Sequence, residues 1–100
     1  MKFIDIDEYL VAIGQRSKMI VKCESLLKQF VESGEEACII EDKDLGKPNG
    51  YLKKQDNRNQ HYNASYATIN LKDGCKNLNL DMVEITNRKG VIYLARKEVL

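Results

Sequence analysis

The sequence predicts an α+β fold, and three observations carry that prediction. Ile6, Ile13, Ile20 and Leu27 recur every seven residues, with Tyr9, Cys23 and Phe30 at the offset of three, which draws one apolar stripe along a helix. Ala67, Leu71, Cys75 and Leu78 draw a second helical face. Two β-rich runs, 82–86 and 91–95, then flank a glycine-containing turn. The expected order is α-β-loop-α-β-β: a long N-terminal helix, a short antiparallel sheet with the C-terminal hairpin, and a second helix before that hairpin.

The first helix is expected over residues 5–33. Asp5 or Asp7 can cap its start, where an acid also suits the positive end of the helix dipole. Gly34 stops it after Ser33. Gly14 costs about 1 kcal/mol relative to Ala inside a helix, so a kink or a break can fall there. Ala37-Cys38-Ile39-Ile40 is short, apolar and partly β-branched, and reads as a strand.

Residues 42–62 are polar and hold the single proline, Pro48, before an Asn49-Gly50 turn. They are expected to form a mobile loop within one domain spanning 1–100, with Tyr51-Leu52 as an anchor or brief strand inside it. The second helix is expected over 65–78, capped by Ser65, closed by Asn79 and weakened by Gly74. The hairpin turns across Asn87-Arg88-Lys89-Gly90, with Gly90 at positive φ. The core should hold Ile13, Ile20, Leu27, Phe30, Ile39, Leu71, Leu78, Val83, Ile85, Ile92 and Leu94.

Composition narrows the function classes. At 100 residues, 43% apolar and 31% charged, the chain has the make-up of a soluble globular domain. It holds no run of the roughly 20 apolar residues a bilayer span requires. The opening Met-Lys-Phe-Ile-Asp-Ile-Asp-Glu places acids where a signal peptide needs apolar residues, so a cytoplasmic location is expected, with no membrane partner. Cys23, Cys38 and Cys75 are odd in number and lie in apolar settings, which reads as reduced, buried thiols.

Catalytic patterns are weak. Cys23, Cys38, His61 and Cys75 contain no close ligand pair of the kind zinc sites use. Glu41-Asp42-Lys43 after a strand has the Glu-x-Lys spacing of metal-dependent nucleases, but such short charged strings are common at strand ends. The chain carries no glycine-rich phosphate loop and no serine elbow. The expectation is a non-catalytic protein with no catalytic residue, no metal and no cofactor.

Charge is distributed unevenly. Residues 1–46 carry 6 Lys+Arg against 10 Asp+Glu, a net of −4; residues 47–100 carry 10 against 5, a net of +5. The basic half concentrates Lys47, Lys53, Lys54 and Arg58 in the polar loop, among Tyr51, His61 and Tyr62, and Arg88 and Lys89 in the hairpin turn. Cations neutralise phosphates and aromatic faces stack on bases, so these six cations are the candidate contacts to DNA or RNA. The helix-then-hairpin order matches a winged helix, although two helices fall short of its three-helix core. Gly14 could also mark the turn of a helix-turn-helix, but Leu10 would crowd the crossing.

The competing class is protein binding. The heptad of Ile6, Ile13, Ile20 and Leu27 could pack on the chain's own sheet or form a homodimer seam through the N-terminal helix, in which Arg16 would be costly. The C-terminal third adds a resemblance. A helix starting near Ser65, a Lys76-Asn-Leu-Asn-Leu-Asp81 exit, and a hairpin whose basic turn leads to Tyr93-Leu94-Ala95-Arg96 resemble small proteins of phages and mobile elements. That resemblance implies a mobile-element origin. It makes an inhibitor or adaptor that occludes a host or phage protein the alternative to nucleic-acid binding.

Overall fold

The computed structural model describes residues 1–14, 18–52 and 62–99. The order is α1 (Ile6–Ala12), α2 (Lys18–Ser33), β1 (Ala37–Ile40), a 3-10 turn (Asp42–Leu45), α3 (Tyr62–Asn77), β2 (Val83–Arg88), β3 (Val91–Arg96) and a second 3-10 turn (Lys97–Val99). It is an α+β fold: two long helices on a three-stranded antiparallel sheet of order β1-β3-β2, with the hairpin at the C-terminal side.

The expected helix over 5–33 is interrupted. Gly14 adopts φ +81, a conformation that other residues enter at a cost, and α1 ends before it. Asp5 does cap α1, its carboxylate accepting the Glu8 N–H at 2.8 Å. The apolar stripe then divides. Cys23, Leu27 and Phe30 on α2 are buried, whereas Ile6 is 66% exposed and Ile13 49%. Ile13 is therefore not core, and Ile20 is only half-buried. The heptad does not run on as one helix: α1 ends before Gly14, and Leu27 is buried in the chain's own core. Ile6, Tyr9 and Ile13, on and just beyond α1, all stay exposed.

Strand register sorts the sheet into two faces. Cys38, Leu94 and Ile85 lie opposite one another, as do Ile40, Ile92 and Asn87, and these point to the helices. Ile39, Tyr93 and Thr86 form the row between them on the other face. Ile39 was expected in the core but is 52% exposed. Its strand is apolar at all four positions, so only pairing decides which side chains turn inward.

The helices meet closely at Gly74, which is a contact rather than a weakness. A Cβ there would sit 2.9 Å from the Leu27 side chain and 3.3 Å from that of Glu24. The helix α3 starts at Tyr62, so Ser65 lies inside it instead of capping it. Asn79 closes it at φ 55, with the Leu80 N–H reaching the Cys75 carbonyl at 2.9 Å and the Asn79 N–H the Lys76 carbonyl at 3.3 Å. Leu78 is half-buried rather than core.

The first half of the polar stretch is packed. Leu45 and Leu52 are both buried in the core. Asp42 staples the segment, accepting N–H bonds from Gly50 at 2.6 Å and Leu52 at 2.9 Å. Leu52 thus acts as the anchor foreseen from the sequence.

Candidate nucleic-acid interface

The hairpin is tighter than expected. β2 runs to Arg88 and β3 starts at Val91, leaving Lys89-Gly90 as a two-residue loop with φ 51 and φ 84. Two positive φ values suit the right-handed twist of a hairpin, and Gly90 meets that demand freely. Lys89 meets it at a steric cost, since a non-glycine residue rarely sits there. Asn87 steadies the loop by accepting the Gly90 N–H at 3.1 Å. β3 is the central strand of the sheet, and both β1 and β2 pair with it.

Register places the cations. Arg88 pairs with Val91, one row beyond the row of Ile39, Tyr93 and Thr86, and on the same open face. Tyr93 stands at the centre of that face, 37% exposed. Arg88 and Lys89 are exposed and form no ion pair among the described residues. Three acids border the face or its cleft: Glu84 lies 3.9 Å from Lys97, Glu41 lies 3.6 Å from Lys43, and Asp42 accepts the Gly50 and Leu52 N–H groups.

A cleft of about 520 Å³ continues the face at the hairpin end. Ile39, Val91, Tyr93 and Gly90 line it from the sheet, and Glu41, Asp42, Lys43, Asn49, Gly50 and Leu52 from the segment after β1. In that segment Lys47 stands over the Tyr51 ring, its ammonium 5.3 Å from the centroid. Lys47, Arg88 and Lys89 are thus the candidate cations that can be placed. Lys53, Lys54 and Arg58 lie outside the described residues.

Other sequence candidates have structural employment. Glu41 and Asp44 cap one another across the 3-10 turn: the Glu41 N–H reaches the Asp44 carboxylate at 2.8 Å and the Asp44 N–H the Glu41 carbonyl at 3.0 Å. With Asp42 occupied by two backbone N–H groups, the Glu-x-Lys string serves the loop. Among the described residues no group of three His, Cys, Asp or Glu side chains could hold a metal ion. All three thiols are pushed above the ordinary range by burial, Cys23 to about 11 with the Glu24 charge adding to it. Asp44 adds to the shift at Cys38, while Lys97 opposes it at Cys75.

Arg96, which ends the Tyr-Leu-Ala-Arg string, is also structural. Its guanidinium donates to the Val31 carbonyl at 2.7 Å and the Glu35 carbonyl at 2.9 Å, and lies 5.7 Å from the Phe30 ring centre. It satisfies the C-terminal end of α2 from the last position of β3.

Tyr93 was missed as a site residue. The available signal was its place between Ile92 and Leu94: if those two face inward, Tyr93 must face outward. The chain matches no family model, no curated protein and no solved structure.

Proposed function

We propose that this protein is a small non-catalytic binding module that holds single-stranded nucleic acid across the open face of its sheet. The observation that carries this reading is the exposed Tyr93 ring at the centre of the face, with Arg88 in the next row of that face and Lys89 at the tip, neither cation ion-paired among the described residues. Aromatic side chains on a sheet offer a stacking platform that any base can use, and flanking cations neutralise the backbone. Lys47, over the Tyr51 ring, adds a cation in the segment that lines the cleft. Lys53, Lys54 and Arg58 follow it in the chain and carry the same role in this reading.

Gel shifts on single- and double-stranded DNA and RNA at low salt test it. Single strands should bind best, with a log–log salt slope of about −2 to −4 for three to six phosphate contacts. Tyr93→Ala should weaken binding roughly tenfold to hundredfold through lost stacking. Arg88→Ala with Lys89→Ala should flatten the slope by about 1.4 units, alike for all sequences. Absence of binding to every one of these probes at micromolar protein would sink the reading.

One observation favours a second reading, that of a protein-binding inhibitor or adaptor from a phage or mobile element. Phe3, Ile4, Ile6, Tyr9 and Ile13 are all exposed, and together they make an apolar surface that single-stranded nucleic acid does not need.

A further inference from the structure

The sheet leaves β1 as an edge strand, and hydrogen-bond parity identifies which of its groups are open. The hairpin loop has two residues, so Arg88 and Val91 exchange backbone bonds, and Val91, Tyr93 and Ala95 serve β2. The alternate residues of β3 then serve β1, in line with the Arg96 N–H reaching the Glu36 carbonyl at 2.9 Å. Glu36, Cys38 and Ile40 are therefore the residues on this side that bond to β3. Ala37 and Ile39 turn their N–H and C=O groups to the outer edge, where no backbone partner stands among the described residues. Both residues are exposed, so the edge is also open in space.

Each side of that edge offers room for a side chain. On the helix side a groove of about 330 Å³ runs between α2 and β1, lined by Leu26, Gln29, Phe30, Ser33, Cys38 and Ile40. On the other side Ile39 stands at the cleft of the open face. The chain around the strand is acidic. From Glu32 to Asp44 it carries Glu32, Glu35, Glu36, Glu41, Asp42 and Asp44 against Lys43 alone, a net of −5 in a chain whose total is +1. Asp42 and Asp44 are taken by backbone N–H groups, and Glu41 lies beside Lys43. Glu32, Glu35 and Glu36 are exposed and form no ion pair among the described residues.

We propose that β1 receives an extended segment of another protein, apolar at its centre and carrying Lys or Arg at both ends, which adds to the sheet as an antiparallel strand. Ala37 and Ile39 each offer it one N–H and one C=O. Alternate side chains of the guest point into the groove under α2 and onto the open face beside Ile39. Its terminal cations meet Glu35 and Glu36 at one end of β1 and Glu41 at the other. The charge of the edge selects this occupant. A second copy paired β1 to β1 sets Glu35 and Glu36 of one chain against Glu41 and Asp42 of the other, and like charges opposite one another in a ladder repel. Nucleic acid brings phosphates to the same acids. The inference does not rest on nucleic-acid binding, which uses the cations at the hairpin end.

The labelled peptide Lys-Arg-Val-Ile-Val-Arg-Lys, titrated onto the full chain and read by fluorescence anisotropy and amide hydrogen exchange, tests it. The peptide should bind saturably, and the Ala37 and Ile39 amides should become protected. The same peptide N-methylated at its three central residues should bind about tenfold or more weakly, because its donors are gone. A peptide with Glu in place of every Lys and Arg should not bind. Glu35→Lys with Glu36→Lys should weaken the basic peptide about tenfold and strengthen the glutamate-ended one. Ile39→Pro should abolish binding with an unchanged circular dichroism spectrum, since an edge strand tolerates proline where the N–H faces outward. If that variant does not fold, the N-methylated peptide answers the same question on the wild type. Absence of saturable binding, equal binding of the N-methylated or glutamate-ended peptide, or binding without protection at Ala37 and Ile39 each overturn the proposal. A dimer of the chain alone that Ile39→Pro abolishes would assign the edge to a second copy and overturn it as well. Gel shifts read the nucleic-acid proposal separately, and their failure leaves the peptide result standing.

Discussion

The residues around α1 and those of α2 carry the same apolar spacing and meet opposite fates. Along α2, Cys23, Leu27 and Phe30 sink between α3 and the sheet. Along α1, Ile6, Tyr9 and Ile13 remain exposed. Periodicity states which side of a helix is apolar; it does not state whether the chain owns the surface that will cover it. The difference lies in what each helix faces. Gly74 lets α3 approach the buried stripe within side-chain contact, and Arg96 holds the far end of α2 to the sheet. The described residues include no comparable partner for α1.

The sharpest way to break this comparison is to truncate both stripes. Leu27→Ala should cost about 2–5 kcal/mol in urea unfolding, since a fully buried side chain leaves a cavity. The exposed stripe, treated last below, supplies the contrast.

Alkaline pH probes the buried stripe next. Cys23 holds its proton to about 11 in the folded chain, against an ordinary thiol value of 9.0. A raised thiol pKa contributes stability that is complete below the unfolded value and lost above it. Between pH 9 and pH 11 Cys23 should therefore lower stability by about 1.4 kcal/mol per unit, and Cys23→Ala should remove that share of the slope while leaving the shares of Cys38 and Cys75. Native alkylation should also leave Cys23 as the slowest of the three thiols.

Arg96→Met keeps much of the stem but abandons the Val31 and Glu35 carbonyls. A loss of about 2 kcal/mol is expected in thermal or urea unfolding. A silent substitution would mean that the end of α2 is held by packing alone.

Gly74→Ala sets two effects against each other. The helix gains about 1 kcal/mol from propensity, while the new methyl meets Leu27 at 2.9 Å and overpacks a core that costs about 1–3 kcal/mol to distort. A net loss of about 1 kcal/mol should appear in urea unfolding. Adding Leu27→Ala should reduce that loss by making room, which a double-mutant cycle reads directly.

The smallest effect belongs to the other stripe. Ile6→Ala and Ile13→Ala should leave the unfolding of a dilute sample within about 0.5 kcal/mol of wild type. A larger loss would show that α1 is covered after all.

Much of the architecture was legible in the sequence because long periods report on elements. The two long helices, the strand at 37–40 and the hairpin all follow from spacing and turn residues. What escaped was set by pairing between distant segments. Ile39 and Ile40 look identical in sequence, and only alignment with β3 sends one outward and one inward. Leu45 and Leu52 are single apolar residues among polar neighbours and carry no period, yet both are core. Gly74 reads as a poor helix residue until Leu27 is placed opposite it. At the candidate site the cations Lys47, Arg88 and Lys89 were visible as charge. Tyr93 was not, since its meaning depends on which face of the sheet stays open.

The strand order has a consequence for how the chain folds as it is made. β3 joins β1 to β2, so no pair of strands exists without it, and it is synthesised after both. Until Val91–Arg96 is available, α2 and α3 can associate, but their sheet-facing residues have nothing to rest on. Arg96 adds to the delay, because its partners at Val31 and Glu35 lie more than sixty residues earlier in the chain. Long-range closure of this kind slows folding and leaves apolar surface exposed meanwhile. The nascent chain should therefore need a chaperone or rapid synthesis through β3, in contrast to helical domains of similar length that assemble locally as they emerge.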